Sequence, residues 1–157
     1  GHVCMTANRN AHVIVDILAE FGPTSTVRAL PPERLVDTRG GASPTAGQVI
    51  RIEIPSDPDD AAAPPTDGGV IGNLTIVRPQ GSGFATVYAC DEERPTTSNI
   101  NYRAGGTIAN AVIAAPNDQG TLCVYTKAAT EVVFDLLGTT GGGFDGVTPN
   151  RPLDTRR

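Results

Sequence analysis

The sequence predicts an all-β fold, an antiparallel β-sandwich that is one module of a tandem array. Short apolar and β-branched runs alternate with Gly, Pro, Asn and Asp residues, which is typical of folds built from many short strands. Windows with a helical period are weak. Two blocks of sequence also recur in the same order further along the chain, which indicates a duplicated unit.

Alternation of side chains identifies the individual strands. In Gln48–Ile54, three isoleucines alternate with Val49, Arg51 and Glu53, so that one set faces a core and the other faces water. About eight such strands per unit, with turn residues every 8–12 positions, fit either a jelly-roll or an immunoglobulin-like sandwich. The predicted strands are Val3–Thr6, His12–Leu18, Arg34–Asp37, Gln48–Ile54, Val70–Val77, Gly83–Ala89, Ser98–Tyr102, Ile108–Ala115, Thr121–Thr126 and Glu131–Leu137.

The internal repeat divides the chain into three parts. Gly1–Asp16 matches Gly120–Asp135 without a gap, and Pro32–Arg39 matches Pro149–Arg156. The blocks recur after about 118 residues, which is the length of a whole domain and not of a solenoid rung. The expected parts are the last strands of a preceding unit (residues 1–30), a complete unit (31–147) and the start of the next unit (148–157).

Segments spread over nearly the whole chain carry a resemblance to a known family. They read PPERLVDTR, NLTIV, GFATVYAC, RPTTSNINYRAGGTIANAVIAAP, QGTLCVYT and TEVVFDLLG. In this combination the chain resembles a repeat found in exported proteins of actinobacteria, where the repeat accompanies cell-wall hydrolases or forms long surface proteins. The resemblance implies a secreted or cell-surface location and a repeated architecture, and it implies no established activity.

The three cysteines divide according to the repeat. Cys90 and Cys123 lie within one unit, whereas Cys4 occupies the position equivalent to Cys123 in the preceding unit. We expect a structural disulfide between Cys90 and Cys123, with a reactive thiol pair as the alternative. The partner of Cys4 then lies outside the chain, and the disulfide favours an oxidising compartment.

A polar triplet occurs twice, as Asp37-Thr38-Arg39 and Asp154-Thr155-Arg156. We interpret it as a structural motif, because a carboxylate near a strand end accepts backbone N–H groups and a guanidinium spans several acceptors. An Arg–Asp pair that binds an anion or takes part in catalysis is the alternative. Asp16 and Asp135 interrupt apolar strands, so we predict that they face inward and pair with the triplet arginines. We also expect Arg39 to be at least half buried and hydrogen-bonded to backbone carbonyls or to an Asp.

A group of polar residues near one predicted strand is the candidate ligand-binding site. Asn99, Asn101 and Tyr102 offer amide and hydroxyl groups to a sugar, although Asn is also common at turns and strand ends for backbone reasons. Exposure of all three residues in one groove favours binding, and burial of all three favours a structural role. Most of the three Tyr and four Phe residues are assigned to core packing, and there is no Trp.

Composition argues against several other functions. The net charge is −5 with 12 Lys and Arg and no basic run, so we expect neither nucleic-acid binding nor attachment to an anionic membrane. No apolar stretch is long enough for a membrane-spanning helix. The two histidines lie in no metal-binding or hydrolase motif, so we predict no metal site, no cofactor and no catalytic residues.

These observations favour a non-enzymatic module on the outside of the cell. The first hypothesis is a structural repeat (a stalk, spacer or fibre subunit) in a filament-forming or adhesive surface protein, with neighbouring units or copies of itself as partners. The alternative is a carbohydrate-binding module that targets a secreted enzyme to cell-wall glycan. The repeat and the expected disulfide support the first hypothesis, and the polar residues around Asn101 support the second.

Overall fold

Two antiparallel sheets packed face to face make up the fold. The computed structural model describes residues 4, 6, 26–55, 68–141 and 144. Within these residues there is no helix, and hence none that could span a membrane. The prediction of an all-β antiparallel sandwich is therefore confirmed. The strands are β1 (Arg28–Asp37), β2 (Val49–Glu53), β3 (Val70–Val77), β4 (Gly83–Ala89), β5 (Ile100–Tyr102), β6 (Thr107–Ala114), β7 (Thr121–Thr126) and β8 (Glu131–Thr139).

The strand order is that of a jelly roll. Sheet I has the order β1-β8-β3-β6, and sheet II has the order β2-β7-β4-β5. Most connections carry the chain from one sheet to the other, and the first strand pairs with the last. In the immunoglobulin arrangement, by contrast, the first strand pairs with the second. Of the two topologies that the sequence left open, the jelly roll is the one observed.

The core lies between the two sheets and follows the alternation of the strands. In β3, every second residue from Val70 to Ile76 is buried, while the residues between them are only partly covered. Ile52 in β2 and Ile54 just after it are buried as predicted, and Arg51 and Glu53 are exposed. The largest fully buried side chain is Phe134, at the middle of β8. The apolar face of each strand therefore explains how the sheets pack.

Each strand predicted between residues 26 and 141 is present, and the main difference concerns β1. It begins at Arg28 instead of Arg34 and so includes Pro31 and Pro32. Proline donates no hydrogen bond, but β1 is an edge strand, and its pairing with β8 is shifted between Ala29 and Glu33. The predicted strands Val3–Thr6 and His12–Leu18 lie outside the described residues, except for residues 4 and 6.

Gly72 gives sheet I room for its largest core side chain. It lies in β3 on the core side, and a Cβ added at Gly72 would overlap the ring of Phe134 in the neighbouring β8. Phe134 is fully buried and is surrounded by the core residues of both sheets, so its ring has little freedom to move away. A side chain at position 72 therefore competes with Phe134 for the same volume.

We predict that Gly72→Ala lowers the free energy of unfolding by about 1–3 kcal/mol, the usual cost of overpacking a core. Chemical denaturation followed by circular dichroism measures the change. Gly40→Ala is the matched control, because an added Cβ there meets no atom within 4 Å. Equal denaturation midpoints for the two variants would show that the Phe134 ring can shift to make room for the added Cβ at no cost in stability.

Candidate functional site

The first polar triplet lies where β1 leaves sheet I. The backbone N–H of Thr38 donates to the carbonyl of Val132 (3.0 Å), and the N–H of Val132 donates to Oγ1 of Thr38 (2.8 Å). The threonine side chain thus extends the β1–β8 ladder by one further bond. Thr38 therefore has an architectural role, because its backbone and its hydroxyl are both bonded to Val132.

Arg39 and Asp37 form an ion pair within the triplet. The Arg39 backbone N–H and Nε both donate to Oδ1 of Asp37, at 3.1 and 2.8 Å. The Arg39 side chain is 43% exposed, so just over half of it is covered as expected, and the pair lies at the surface. Hydrogen bonds from the Arg39 guanidinium and from its backbone N–H hold the pKa of the Asp37 carboxyl well below its usual range. The predicted pairing of Arg39 with an aspartate is thus observed.

The prediction that Asp135 faces inward and pairs with a triplet arginine is wrong. The inward residues of β8 are its neighbours Phe134 and Leu136, and Asp135 lies on the outer face of sheet I, partly exposed. Its partner is Arg34, whose Nε donates to Oδ1 at 2.8 Å. The cause is the register of β1 and β8, which places Arg34 directly opposite Asp135. Asp16 and Asp154-Thr155-Arg156 lie outside the described residues.

The predicted disulfide between Cys90 and Cys123 is confirmed. Their Cα atoms lie 4.9 Å apart, within the range of ordinary disulfides, and Cys4 is an exposed free thiol. The bond joins β7 to the start of the β4–β5 connection. It therefore fixes one end of that connection on the outer face of sheet II, the face turned away from the core.

We call the β4–β5 connection, Cys90–Asn99, the strap. It lies against sheet II, because Oγ1 of Thr86 donates to the Thr97 carbonyl at 2.8 Å and the Arg94 guanidinium stacks 4.2 Å from the centre of the Tyr125 ring. Thr86 has no exposed surface although it points away from the core. The strap thus covers the middle of the outer face of sheet II.

Asn99, Asn101 and Tyr102 do not form one exposed cluster. Oδ1 of Asn99 accepts the N–H of Val87 at 2.7 Å, so its side chain continues the sheet. Tyr102 is buried in the core, where its hydroxyl accepts the N–H of Ala128 at 3.1 Å, and burial raises the pKa of that hydroxyl. Asn101 is the exposed member of the three. Because neighbouring residues of a strand point to opposite faces, Asn101 and Tyr102 cannot share one groove.

Two aromatic residues lie on the outer face of sheet II, in contrast to the core packing expected for most of them. Phe84 and Tyr125 are partly exposed, and their ring centres lie 5.9 Å apart. The ammonium of Lys127 lies 5.9 Å from the centre of the Phe84 ring, and Asn101 is the β5 partner of Phe84. We call Phe84, Tyr125, Lys127 and Asn101 the aromatic patch. Its signal in the sequence is the alternation of β4, in which Ala85 and Val87 are the inward residues.

Neither the patch nor the triplet brings together the set of side chains that a metal centre needs. Among the described residues, no three His, Cys, Asp or Glu side chains are placed together so as to hold a metal ion. The chemistry on offer is therefore of two kinds. One is a network of surface ion pairs between β1 and β8, and the other is a pair of partly exposed rings bordered by a cation and an amide.

We predict that Asp37→Asn lowers the urea midpoint of unfolding at pH 7 and that the difference from the parent disappears towards about pH 2. The folded-state pKa of Asp37 is depressed, so its stabilising contribution is present above the unfolded pKa of about 4 and is lost as pH falls towards the folded value. Asp91→Asn, in the exposed part of the strap, is the control. A gap between Asp37→Asn and the parent that does not change with pH would contradict the ion pair.

Comparisons with known proteins add little to this geometry. No family model matches the chain, and no curated protein sequence matches it. Among solved structures, the chain is similar to the CBM22-1 and GH10 modules of the Clostridium thermocellum endo-1,4-β-D-xylanase 10B, determined in complex with xylohexaose. The identity is 15% and the TM-score is 0.31, with 54% of this chain and 18% of that chain covered. A likeness this distant does not bear on ligand or activity.

Proposed function

We propose that this chain is a non-catalytic structural module of an exported surface protein. Successive copies of the module would project sideways from the polypeptide instead of being joined end to end. The observation that carries the proposal is the position of the first and last strands. The chain enters and leaves the sandwich through two neighbouring strands, at the same end of sheet I.

The register of these strands defines that end. Arg28, the first residue of β1, pairs with Thr139, the last residue of β8. Just beyond the ladder, the N–H of Gly141 donates to the carbonyl of Thr26 at 2.9 Å. Segments that lead to a preceding and a following unit would therefore start side by side. Each unit would project away from the line of the polypeptide.

This arrangement argues against the stalk or spacer of the first hypothesis. A stalk gains the full length of each module only when the chain enters at one end and leaves at the other. Here tension on the two chain ends would also pull β1 away from β8 from one end. Hydrogen bonds of an antiparallel ladder lie perpendicular to the strands, so they would break one after another instead of sharing the load. The geometry favours display of repeated units over the bearing of tension.

The recurring residues support the view that each unit is closed in the same way. Thr38 and Val132 are joined by backbone and hydroxyl hydrogen bonds, and Arg34 pairs with Asp135. All four lie in the two repeated blocks, and all four hold β1 against β8. A repeat that preserves the closure of a sandwich fits a structural module, because what recurs is the joint between its first and last strands.

We predict that the domain unfolds at low force when it is pulled through both chain ends in single-molecule stretching. The same protein held at Gly40 and at the C-terminal end is the control, because Gly40 follows β1 at the opposite end of sheet I and the pull then shears the ladder. We expect the unfolding force for the pull through both chain ends to be at most about half of the force for the pull from Gly40. In the first geometry the β1–β8 hydrogen bonds break one at a time. Equal forces in the two geometries would remove the argument against a load-bearing stalk.

Carbohydrate binding at the aromatic patch is the second candidate function. The specific observation in its favour is that the Phe84 and Tyr125 rings lie on the outer face of sheet II. Partly exposed rings can stack on the C–H face of a sugar, while the Asn101 amide and the Lys127 ammonium can bind its hydroxyls. The strap limits the site, because Arg94 already covers one face of Tyr125. The free part of the patch is thus the side of Phe84.

For this second function, we predict that a glycan and peptidoglycan binding screen gives a ligand whose affinity falls about ten-fold or more in Phe84→Ala, which loses one stacking ring. Ile108→Ala is the control, because Ile108 is 43% exposed on β6 of the other sheet, away from the patch. Absence of any ligand in the screen, or equal binding by the two variants, would reject carbohydrate binding at the patch and leave the structural module as the remaining candidate.

A further inference from the structure

The aromatic patch contains a cation without a carboxylate partner in the described chain. Other cations of the described residues do form ion pairs: Arg34 with Asp135, Arg39 with Asp37 and Arg78 with Glu131. Lys127, the single lysine of the sequence, is exposed and forms no ion pair with any residue that the structure describes. A surface cation that no carboxylate of the protein neutralises is available to an anion from outside.

The backbone holds Lys127 beside the ring of Phe84. The Lys127 N–H donates to the Phe84 carbonyl at 3.0 Å, and the Lys127 ammonium lies 5.9 Å from the centre of the Phe84 ring. This distance is close to the outer limit of a cation–π contact, about 6 Å, so the ring binds the ammonium weakly. The ammonium can therefore turn to a ligand that lies on the ring without losing a strong contact.

Asn101 adds a second hydrogen-bond donor on the same side of the patch. It is exposed and is the β5 partner of Phe84. Its Oδ1 accepts the hydroxyl of Ser98 at 3.3 Å, which leaves the amide nitrogen for a ligand. An ammonium and an amide nitrogen both donate hydrogen bonds and accept none. The Phe84 side of the patch therefore suits a ligand that is rich in acceptors, and a negatively charged one above all.

The connections at the two ends of the sandwich differ in charge. The four at the end that carries Lys127 are residues 38–48, 78–82, 103–106 and 127–130, all of them described. They contain three arginines and Lys127 but no Asp or Glu. At the other end, the connections 90–99 and 115–120 contain four carboxylates and one arginine. The patch thus lies at the basic end of a chain whose net charge is −5.

Two carboxylates of the strands also lie at the basic end, but both are already neutralised. Asp37 and Glu131 each form an ion pair with an arginine of these connections. Arg103, which directly follows β5, is exposed and, like Lys127, has no carboxylate partner among the described residues. An excess of positive charge therefore remains beside Phe84.

The carboxylates of the strap are too far from Phe84 to cancel this charge. Phe84 is the second residue of β4, and the strap begins at Cys90, just after the last one. Six residues of a strand span about 20 Å, whereas the Debye length at physiological ionic strength is about 8 Å. Arg94 follows the acidic residues of the strap, and it is this cation that contacts the Tyr125 ring. Repulsion of an anion at Phe84 is therefore small.

We propose that the aromatic patch binds an acidic polysaccharide, with a uronic acid stacked on Phe84 and its carboxylate bound by Lys127. A uronic acid carries its carboxylate directly on the sugar ring. A sugar that lies on Phe84 thus brings this group to the ammonium and to the Asn101 amide, which bind it by charge-assisted hydrogen bonds. Arg103 and the basic end of the sandwich attract the further carboxylates of the polymer.

The inference rests on the second candidate function, carbohydrate binding at the patch, and adds the class of ligand. It does not depend on the arrangement of β1 and β8, because it uses the outer face of sheet II. A neutral glycan that binds at Phe84 would preserve the second function and remove the inference, so the two can fail separately.

The test is calorimetric titration of the full chain with a short oligogalacturonate, with its methyl ester and with poly-L-glutamate. The ester keeps the sugar rings and removes their charge, whereas poly-glutamate keeps the carboxylates and has no sugar ring. We expect the oligogalacturonate to bind about ten-fold or more tightly than the ester, the usual effect of a hydrogen bond to a charged group. The preference should shrink as the salt concentration rises, and poly-glutamate should not bind. An oligomannuronate serves as a second uronate with a different sugar.

Substitutions at one position assign the preference to Lys127. Lys127→Gln should abolish the preference for the acid over the ester, and Lys127→Arg should restore it because the charge returns. Phe84→Ala should weaken the binding of both. Arg34→Gln is the matched control, because it removes one cation from sheet I, on the other side of the sandwich, and should leave both affinities unchanged. Circular dichroism checks that each variant is folded.

Several results would overturn the inference. Equal binding of the acid and the ester, both lost in Phe84→Ala, would show a patch that binds sugars without regard to charge. Binding of poly-glutamate as tight as that of the oligogalacturonate would show that charge alone is recognised. A preference that survives in Lys127→Gln would place the carboxylate elsewhere. Failure of both uronates to bind would remove the inference outright, and the glycan screen would then decide whether the second function stands.

Discussion

The pairing of β8 with both β1 and β3 is the constraint on which the rest of the structure depends. β8 supplies Val132, Phe134 and Leu136 to the core, and it is the strand that joins the beginning of the domain to its end. The ion pair between Arg34 and Asp135 spans 101 positions of sequence and exists only because of this pairing. The same register brings the two chain ends together and leaves β6 at the far edge of the sheet. The closure of the domain and the position of its two chain ends therefore follow from where β8 lies.

Sheet II carries a second, smaller layer of packing on its outer face. The strap is fixed there by the disulfide, by the hydroxyl of Thr86 and by Arg94 on Tyr125. In the loop-entropy description, a disulfide that closes a loop of 33 residues contributes about 3–4 kcal/mol. The covalent bond thus holds a polar connection against a face that would otherwise be open. What remains accessible beside the strap is the side of Phe84, and this restricts where a ligand can bind on sheet II.

The strands and the disulfide could be predicted from the sequence because both leave local signals. Alternation in Gln48–Ile54 defines a face by itself, and the repeat equivalence of Cys4 and Cys123 leaves Cys90 as the partner within the unit. Strand order leaves no local signal, since pairing across a hundred residues is set by how the whole core packs. The same limit explains why the predicted partner of Asp135 was wrong. Its identity depends on the register of β1 against β8 and on no property of Asp135 itself.

The errors at the candidate site have a related physical cause. β4 alternates, with Thr86 on the same face as Phe84, but both of its faces carry large apolar side chains, so apolar content alone does not reveal that Ala85 points inward and Phe84 outward. In β5 the alternation was readable, but with only three residues it gave no basis for choosing between Asn101 and Tyr102. The prolines of β1 shortened the predicted strand, because the tolerance of an edge for proline depends on its place in the sheet.

The central place of β8 also has a consequence for how the domain comes to fold. β8 is the last strand of the unit to be synthesised, yet it fills the gap between β1 and β3. Sheet I cannot be completed before residues 131–139 have emerged, and contacts this distant in sequence make for slow folding. In a tandem protein of the kind proposed, every unit brings a similar strand to a similar gap. Until its own β8 has emerged, the gap can accept the β8 of a neighbouring unit, and such domain swapping is a characteristic failure of repeat proteins. The order in which the units leave the ribosome or cross the membrane then determines which strand each gap meets first.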